Sequence, residues 1–174
     1  MIASVRTQSA AVLVDIENFI NAKELFFRFP ERAIGQVISG LRVHLWKQGL
    51  RGDEEWSRIY LASRAYPTRA VLQISRAAAE QHFKLRWSLR SWPAERLLIS
   101  DITTALSSKQ TISLPHSIFI LSGDGGVIST VNLLQQRGHD VTVIACAQRI
   151  HHTLKQRANT FISIEEILAR AVHP

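Results

Sequence analysis

Residues 11–18 read Ala-Val-Leu-Val-Asp-Ile-Glu-Asn and give the strongest indication of the fold class. The four apolar residues Ala11–Val14 are typical of a strand that is covered on both faces, because a half-exposed strand would alternate apolar and polar side chains. Asp15 follows them directly, so the predicted strand ends in a carboxylate. The stretch therefore predicts a central strand of a parallel sheet that carries an acidic group at its carboxyl end.

The rest of the chain alternates short β-branched runs with longer helical stretches. Further strands are predicted at 57–62, 83–87, 117–121, 141–145 and 160–162, and helices at 31–48, 68–82, 93–108, 125–138 and 163–170. Such alternation indicates right-handed crossovers between parallel strands. The expected fold class is α/β, with three α/β/α layers around a central, mostly parallel sheet. All 174 residues are assigned to one domain.

The net charge indicates what kind of partner to expect, and the cysteine content indicates the compartment. The net charge of +7, from 21 Lys and Arg against 14 Asp and Glu, makes a polyanion such as RNA the expected partner, although many small proteins are simply basic. Cys146 stands alone, which excludes an internal disulfide and fits a reducing compartment. No apolar run approaches the roughly 18 residues that cross a bilayer. We expect a cytoplasmic protein without a membrane partner.

Carboxylates follow two of the apolar strands and mark a candidate site. Asp15 follows the first strand, and Asp124 follows the strand at 117–121. In a parallel sheet both ends lie at the same edge, near the point where ligands bind. Asp101 and Glu95 lie on the predicted helix between them. Taken singly, Asp15 or Asp124 could instead cap a helix, and Asp101 could be a solvated helical carboxylate.

Clustered carboxylates repel one another unless a cation joins them. Their hard oxygen atoms suit Mg²⁺ or Mn²⁺ rather than zinc. A bound ion of this kind can activate water and offset charge on a phosphodiester. The pairing of two Asp residues at strand ends therefore predicts a divalent-cation site.

Several motifs together resemble the NYN domain, a branch of the PIN-like ribonucleases. Residues 14–19, Val-Asp-Ile-Glu-Asn-Phe, resemble the family's opening V-D-x-x-N motif, and residues 120–124, Ile-Leu-Ser-Gly-Asp, resemble its S-G-D-x-D segment. Residues 133–143 match its helix, glycine and strand, and 158–162 resemble its closing strand. The resemblance spans nearly the whole chain and implies a PIN-like fold and ribonuclease activity.

The resemblance also assigns site residues. It implies catalytic roles for Asp15, Asn18, Asp101 and Asp124, and a metal-ligand role for Asp15, Asp101 and Asp124 with Glu95 near a second acidic position. The family's next carboxylate falls on Gly126, so this chain lacks it. Gly125 and Gly126 could instead leave backbone N–H groups open to a phosphate. Glu17 or Glu95 could supply the missing charge.

Basic residues form two groups that could contact RNA. The first, together with Tyr66, Phe83 and Trp87, could form a groove that combines charge with base stacking, or it could be a solvated face over core aromatics. The second lies in 149–157, after the strand at 141–145. The residues expected to bind RNA are Arg64, Arg69, Arg76, Lys84, Arg86, Arg149 and Lys155, with Arg90 in the same groove.

Two functions follow as expectations. The first is a ribonuclease, a hydrolase that cleaves RNA phosphodiesters with a carboxylate-bound magnesium or manganese ion. The second is an RNA-binding or regulatory adaptor that keeps the fold but has lost a ligand at Gly126. A phosphatase or nucleotide-binding domain is a weaker third possibility, because neither a Gly-x-Gly-x-x-Gly nor a Walker motif occurs. A homodimer or a protein partner is left open.

Overall fold

The stretch Ala11–Val14 forms the middle of strand β1 (Gln8–Asp15), and its side chains are buried. β1 pairs in parallel with a second strand on one side and with a fourth strand on the other. Because both neighbours continue the sheet and helices cover both faces, every side chain of this run lies in the core. The central strand predicted from the sequence is confirmed.

The computed structural model describes residues 8–20, 30–62, 66, 68–88, 92–108 and 113–172. The remaining strands are β2 (Leu50–Ala62), β3 (Lys84–Ser88), β4 (Ser117–Leu121), β5 (Asp140–Ala145) and β6 (Thr160–Ser163). The helices are α1 (Ile16–Ile20), α2 (Pro30–Lys47), α3 (Thr68–Glu80), α4 (Ala94–Ser107), α5 (Ile128–Gln136), α6 (His152–Arg157) and α7 (Ile164–Val172), and a 3₁₀ turn (Gly125–Val127) precedes α5.

The six described strands form one sheet in the order β3-β2-β1-β4-β5-β6, and every pair is parallel. The chain builds outward from β1 to β3 and then returns to the other side of β1 to add β4, β5 and β6. The strand order therefore reverses between β1 and β4. In open parallel sheets, ligands bind beyond the carboxyl ends of the strands at this point, which is where Asp15 and Asp124 follow their strands.

Two apolar layers hold the helices against the sheet. Val12 and Val14 face one layer, which contains the buried side chains of α2, α3 and α7. Ala11 and Leu13 face the other, which contains those of α4, α5 and α6. Alternate residues of one strand point to opposite faces, so an unbroken apolar run supplies both layers. The expected three-layer α/β/α arrangement is confirmed.

Most of the expected elements are present, with two differences that concern the site. α1 begins directly after Asp15, and α6 follows β5, whereas neither was expected. Both helices are short, and Leu154 is the one buried residue of α6, so neither leaves an apolar repeat in the sequence. Within the described part of the chain, no helix is long and apolar enough to cross a membrane.

Candidate functional site

Asp15 and Asp124 lie at the same edge of the sheet, as expected. Val14 pairs with Leu121 in the register of β1 and β4, so Asp15, the last residue of β1, follows the last residue paired with β4, and Asp124 lies three residues beyond the end of β4. Asp124 raises the pKa of Asp15 through charge repulsion, which places the two carboxylates within electrostatic reach of one another. The switch point of the sheet is therefore acidic.

Asp15 is fully buried and is held by two side chains. The side-chain amide of Asn18 donates to Asp15 Oδ2 at 2.8 Å, and the hydroxyl of Ser122 donates to the same oxygen at 3.0 Å. The backbone N–H of Asn18 makes a longer contact of 3.4 Å with Oδ1. Asn18, to which the resemblance assigns a catalytic role, therefore orients Asp15. Ser122 was not named as a site residue, although it lies in the S-G-D segment.

Burial is the main influence on the pKa of the Asp15 carboxyl. It raises the pKa of the Asp15 carboxyl above 3.8, the donated hydrogen bonds of Asn18 and Ser122 lower it, and the negative charge of Asp124 raises it further. Removing a carboxylate from water favours its neutral form unless a positive charge is nearby. A divalent cation next to Asp15 would therefore offset a negative charge that burial makes unfavourable.

Asp124 has a structural role as well as a place in the site. Its Oδ1 accepts a hydrogen bond from the backbone N–H of Gly126 at 2.8 Å, and it caps the 3₁₀ turn that leads into α5. Its own N–H is 3.3 Å from the Ser122 hydroxyl. The helix-capping role considered from the sequence is thus correct for one oxygen of Asp124. A cap of this kind fixes the direction of the carboxylate.

Glu95 brings a third carboxylate to this edge from the first turn of α4. Its pKa is raised by burial first, and then by the charges of Asp124 and Asp15 and by a hydrogen bond with Asp124. A Cβ atom added at Gly126 would overlap the Glu95 carboxylate, with the farther oxygen only 2.9 Å away. Glu95 therefore occupies the space beside Gly126, the position at which the resemblance implies a carboxylate.

Glu17, the other residue expected to replace the missing charge, is engaged differently. Its Oε1 accepts the N–H of Ala62 at 3.2 Å, and its Oε2 accepts the N–H of Ala94 at 3.1 Å. Burial raises its pKa, and Asp15 raises it further. The phenol of Tyr66 is also close to this site: burial raises its pKa, and the charges of Glu17 and Asp15 raise it further. Glu17 therefore lines the site while binding backbone.

Asp101 does not join this cluster, and the expectation that it converges with Asp15 and Asp124 is wrong. Its carboxylate accepts hydrogen bonds from Arg58 at 2.7 Å and from Arg86 at 2.9 and 3.0 Å. α4 runs back along the sheet from the acidic edge, and six residues of helix separate Asp101 from Glu95 by about 9 Å of rise. Asp101 is instead a residue of α4 that forms ion pairs with Arg58 of β2 and Arg86 of β3.

Of the described residues of the first basic group, only Lys84 and Arg86 line a cavity, of about 320 Å³, between β2, β3 and α4, and none of the three aromatic residues expected in the groove lines it. Its three cations are already paired: Arg86 with Asp101, Lys84 with Glu55, and Arg58 with both carboxylates. On α3, Arg76 pairs with Glu80 at 3.3 Å, while Arg69 is exposed. Arg64 and Arg90 lie outside the described residues. The cavity therefore carries one net positive charge, and its charged side chains are engaged with each other.

The second basic group borders the acidic site. Arg149 is exposed after β5, and Lys155 and Arg157 are exposed on α6. His151, which precedes α6, donates its backbone N–H to Gly123 at 2.9 Å, and its ring lies against Gly125. The sequence contains no acidic residue from 141 to 164. His151 was not expected at the site, because no sequence signal links it to Gly125.

The donor chemistry of the cluster fits a hard divalent cation. Asp15, Glu95 and Asp124 offer oxygen atoms, and burial first, then the negative charge of the neighbouring carboxylates, raises the pKa of Asp15 and of Glu95. As they stand, no three acidic, histidine or cysteine side chains among the described residues are grouped to hold a metal ion. Binding would thus require these carboxylates to turn toward a shared ion.

Comparisons with known proteins support the fold and give no information about function. No family model matches the chain, and no curated protein matches it. A crystal structure of a protein of unknown function from Vibrio parahaemolyticus RIMD 2210633 is similar, with a TM-score of 0.64 and 18% sequence identity. The similarity covers 96% of this chain and 98% of that chain. At this identity the comparison shows a shared fold alone.

Proposed function

We propose that this protein is a divalent-metal-dependent ribonuclease that hydrolyses RNA phosphodiesters at the acidic edge of its sheet. The observation that carries the proposal is that Asp15, Glu95 and Asp124 meet at one edge of the sheet, where burial, and after it the charge of Asp124, raises the pKa of Asp15 and of Glu95. The resemblance of 14–19 and 120–124 to the NYN domain supports the choice of RNA. A cytoplasmic location belongs to the same proposal.

The five residues of the acidic site have two different tasks in this proposal. Asp15, Glu95 and Asp124 would hold Mg²⁺ or Mn²⁺, which supplies an activated water and offsets charge on the phosphodiester. Asn18 and Ser122 hold Asp15 in position through hydrogen bonds of 2.8 and 3.0 Å. No covalent nucleophile is needed.

The substrate would reach the site across the basic residues of the α6 region. Arg149, Lys155 and Arg157 lie on the side of the site formed by β5 and α6 and are exposed. Phosphate contacts of this kind position a nucleic acid without reading its sequence. The groove between β2, β3 and α4 is a weaker candidate, because Lys84 and Arg86 are paired with carboxylates there.

Cleavage of a single-stranded RNA in the presence of Mn²⁺ tests the proposal. Asp124→Asn keeps the size of the side chain and its capping oxygen but removes one ligand charge. We expect cleavage to fall at least roughly a hundredfold, equivalent to about 2.7 kcal/mol of transition-state stabilisation. Asp140→Asn is the matched control, because Asp140 is exposed at the start of β5, at the opposite edge of the sheet.

The second candidate function is an RNA-binding adaptor, which the glycine at position 126 favours. An adaptor would bind RNA but show no cleavage above a heat-inactivated control with either metal. Under this outcome Asp124→Asn should leave RNA binding unchanged or tighten it, because a negative charge facing phosphate is lost. Wild-type cleavage that Asp124→Asn leaves intact would instead contradict the proposed site.

A further inference from the structure

Glu17 joins two elements that flank the acidic site. Its Oε1 accepts a hydrogen bond from the N–H of Ala62, the last residue of β2, and its Oε2 accepts one from the N–H of Ala94, the first residue of α4. The two partners lie 45 and 77 positions away in sequence. One carboxylate therefore connects the end of a strand with the start of a helix.

The start of α4 depends on this contact because the helix has no cap of its own. The first N–H groups of a helix find no partner within the helix. Pro93, which precedes α4, makes no side-chain capping bond. Ala94 is fully buried, so water does not replace the missing partner. Glu17 thus satisfies a buried donor that the local sequence leaves open.

Glu95 follows Ala94 directly, so the hydrogen bond between Glu17 and Ala94 fixes the backbone next to a residue of the acidic site. The Glu95 carboxylate lies in the space beside Gly126 and shares a hydrogen bond with Asp124. Metal–oxygen distances tolerate only about 0.2 Å of error. A small displacement at the start of α4 would therefore move Glu95 out of reach of an ion held by Asp15 and Asp124.

We propose that Glu17 is a positioning residue for Glu95: by holding the N–H groups of Ala62 and Ala94, it places Glu95 beside Asp124. The effect on metal binding rests on the proposed function, whereas the placement itself does not. Glu17 is not needed as a ligand, because both of its oxygens already accept backbone hydrogen bonds. Its influence on the metal passes through Glu95.

Glu17→Gln tests this role. The amide keeps the length of the side chain but presents a donor to one of the two N–H groups, so one connection is lost. We expect Mn²⁺ binding, measured by titration calorimetry, to weaken about tenfold, or ~1.4 kcal/mol. Glu54→Gln, an exposed residue of β2, is the matched control and should bind Mn²⁺ as the wild type does.

A double-mutant cycle separates positioning from an independent contribution. If Glu17 acts through Glu95, adding Glu17→Gln to Glu95→Gln should weaken Mn²⁺ binding no further, because the residue that Glu17 places is already lost. Losses that add across the two variants would overturn the positioning role. A Glu17 that merely stabilises the fold would lower the melting temperature without this dependence on Glu95.

Amide hydrogen exchange gives a readout that needs no metal. In Glu17→Gln, exchange at Ala62 and in the first turn of α4 should become faster, while the far end of α4 stays protected. Unchanged exchange at Ala62 and Ala94 would overturn the inference even if Mn²⁺ binds. A wild type that binds no Mn²⁺ would refute the proposed function alone. Should Glu17→Gln fail to fold, Glu17→Asp, which is shorter and reaches only one donor, replaces it.

Discussion

Gly126→Ala changes the position at which this chain departs from the NYN pattern. A Cβ there would lie 2.5 Å from the Glu95 carboxyl carbon and 2.9 Å from its farther oxygen, whereas ordinary contact begins at 3.4 Å. Gly126 is exposed, and its φ lies outside the left-handed region. The Glu95 carboxylate ends a flexible side chain, so it should withdraw while the backbone stays in place.

Withdrawal of Glu95 removes one of three proposed ligands. We expect Gly126→Ala to bind Mn²⁺ about ten to a hundred times more weakly, a loss of ~1.4–2.7 kcal/mol. Its unfolding free energy should change by no more than about 0.5 kcal/mol, because the substitution is on the surface. Titration calorimetry and thermal unfolding measure the two quantities. Gly35→Ala on α2, where nothing lies within 4 Å of the new Cβ, is the control and should leave Mn²⁺ binding unchanged.

Unaltered Mn²⁺ affinity in a folded Gly126→Ala protein would refute the role of Glu95. Gly126→Asp sharpens the comparison, because its backbone-proximal atoms displace Glu95 while its carboxylate takes the place that the NYN resemblance implies. One ligand would then replace another, and Mn²⁺ affinity should stay within about threefold of the wild type. Equal losses in the alanine and aspartate variants would mean that the geometry of Glu95 cannot be reproduced from position 126.

Two further predictions concern stability and RNA binding. Because burial raises the pKa of Asp15 above 3.8 in the folded protein, the stabilisation from this group is present at lower pH and is lost as pH rises through the folded-state pKa. Asp15→Asn should therefore be more stable than the wild type in urea at pH 7 without metal, and this gain should shrink near pH 3; a variant that is less stable at pH 7 would contradict it. For RNA, replacing Lys155 and Arg157 by alanine should lower the slope of log affinity against log salt by about 0.7 per lost phosphate contact, as measured by fluorescence anisotropy. Arg76→Ala, whose side chain pairs with Glu80, should leave that slope unchanged, and an equal effect in both proteins would argue against the α6 region as the contact surface.

The fold and two acidic residues could be predicted because their signals are local. The run Ala11–Val14 and the strand Ser117–Leu121 are apolar throughout, and each is followed within three residues by an Asp. Parallel pairing then brings both carboxylates to one edge. The sequence was equally informative about the length of α2 and the position of the edge strand β3, because their apolar spacing is regular.

Asp101 shows why the rest of the site could not be predicted. Leu98 and Ile102 face the core, and Asp101 lies beside this stripe, so the sequence alone does not show which neighbour its carboxylate meets. Its partners Arg58 and Arg86 come from strands 43 and 15 residues away. Glu17 poses the same difficulty, because its partners are backbone N–H groups, which no side-chain pattern reveals.

Anomalous diffraction at the manganese absorption edge, from a wild-type crystal soaked in Mn²⁺, would test directly whether the acidic edge of the sheet binds a metal ion. We predict one anomalous peak among Asp15, Glu95 and Asp124, with carboxylate oxygens from at least two of them at about 2.2 Å, as expected for a hard divalent ion and oxygen ligands. A peak at Asp101, or no peak between Asp15 and Asp124 at saturating Mn²⁺, would contradict the proposed metal site.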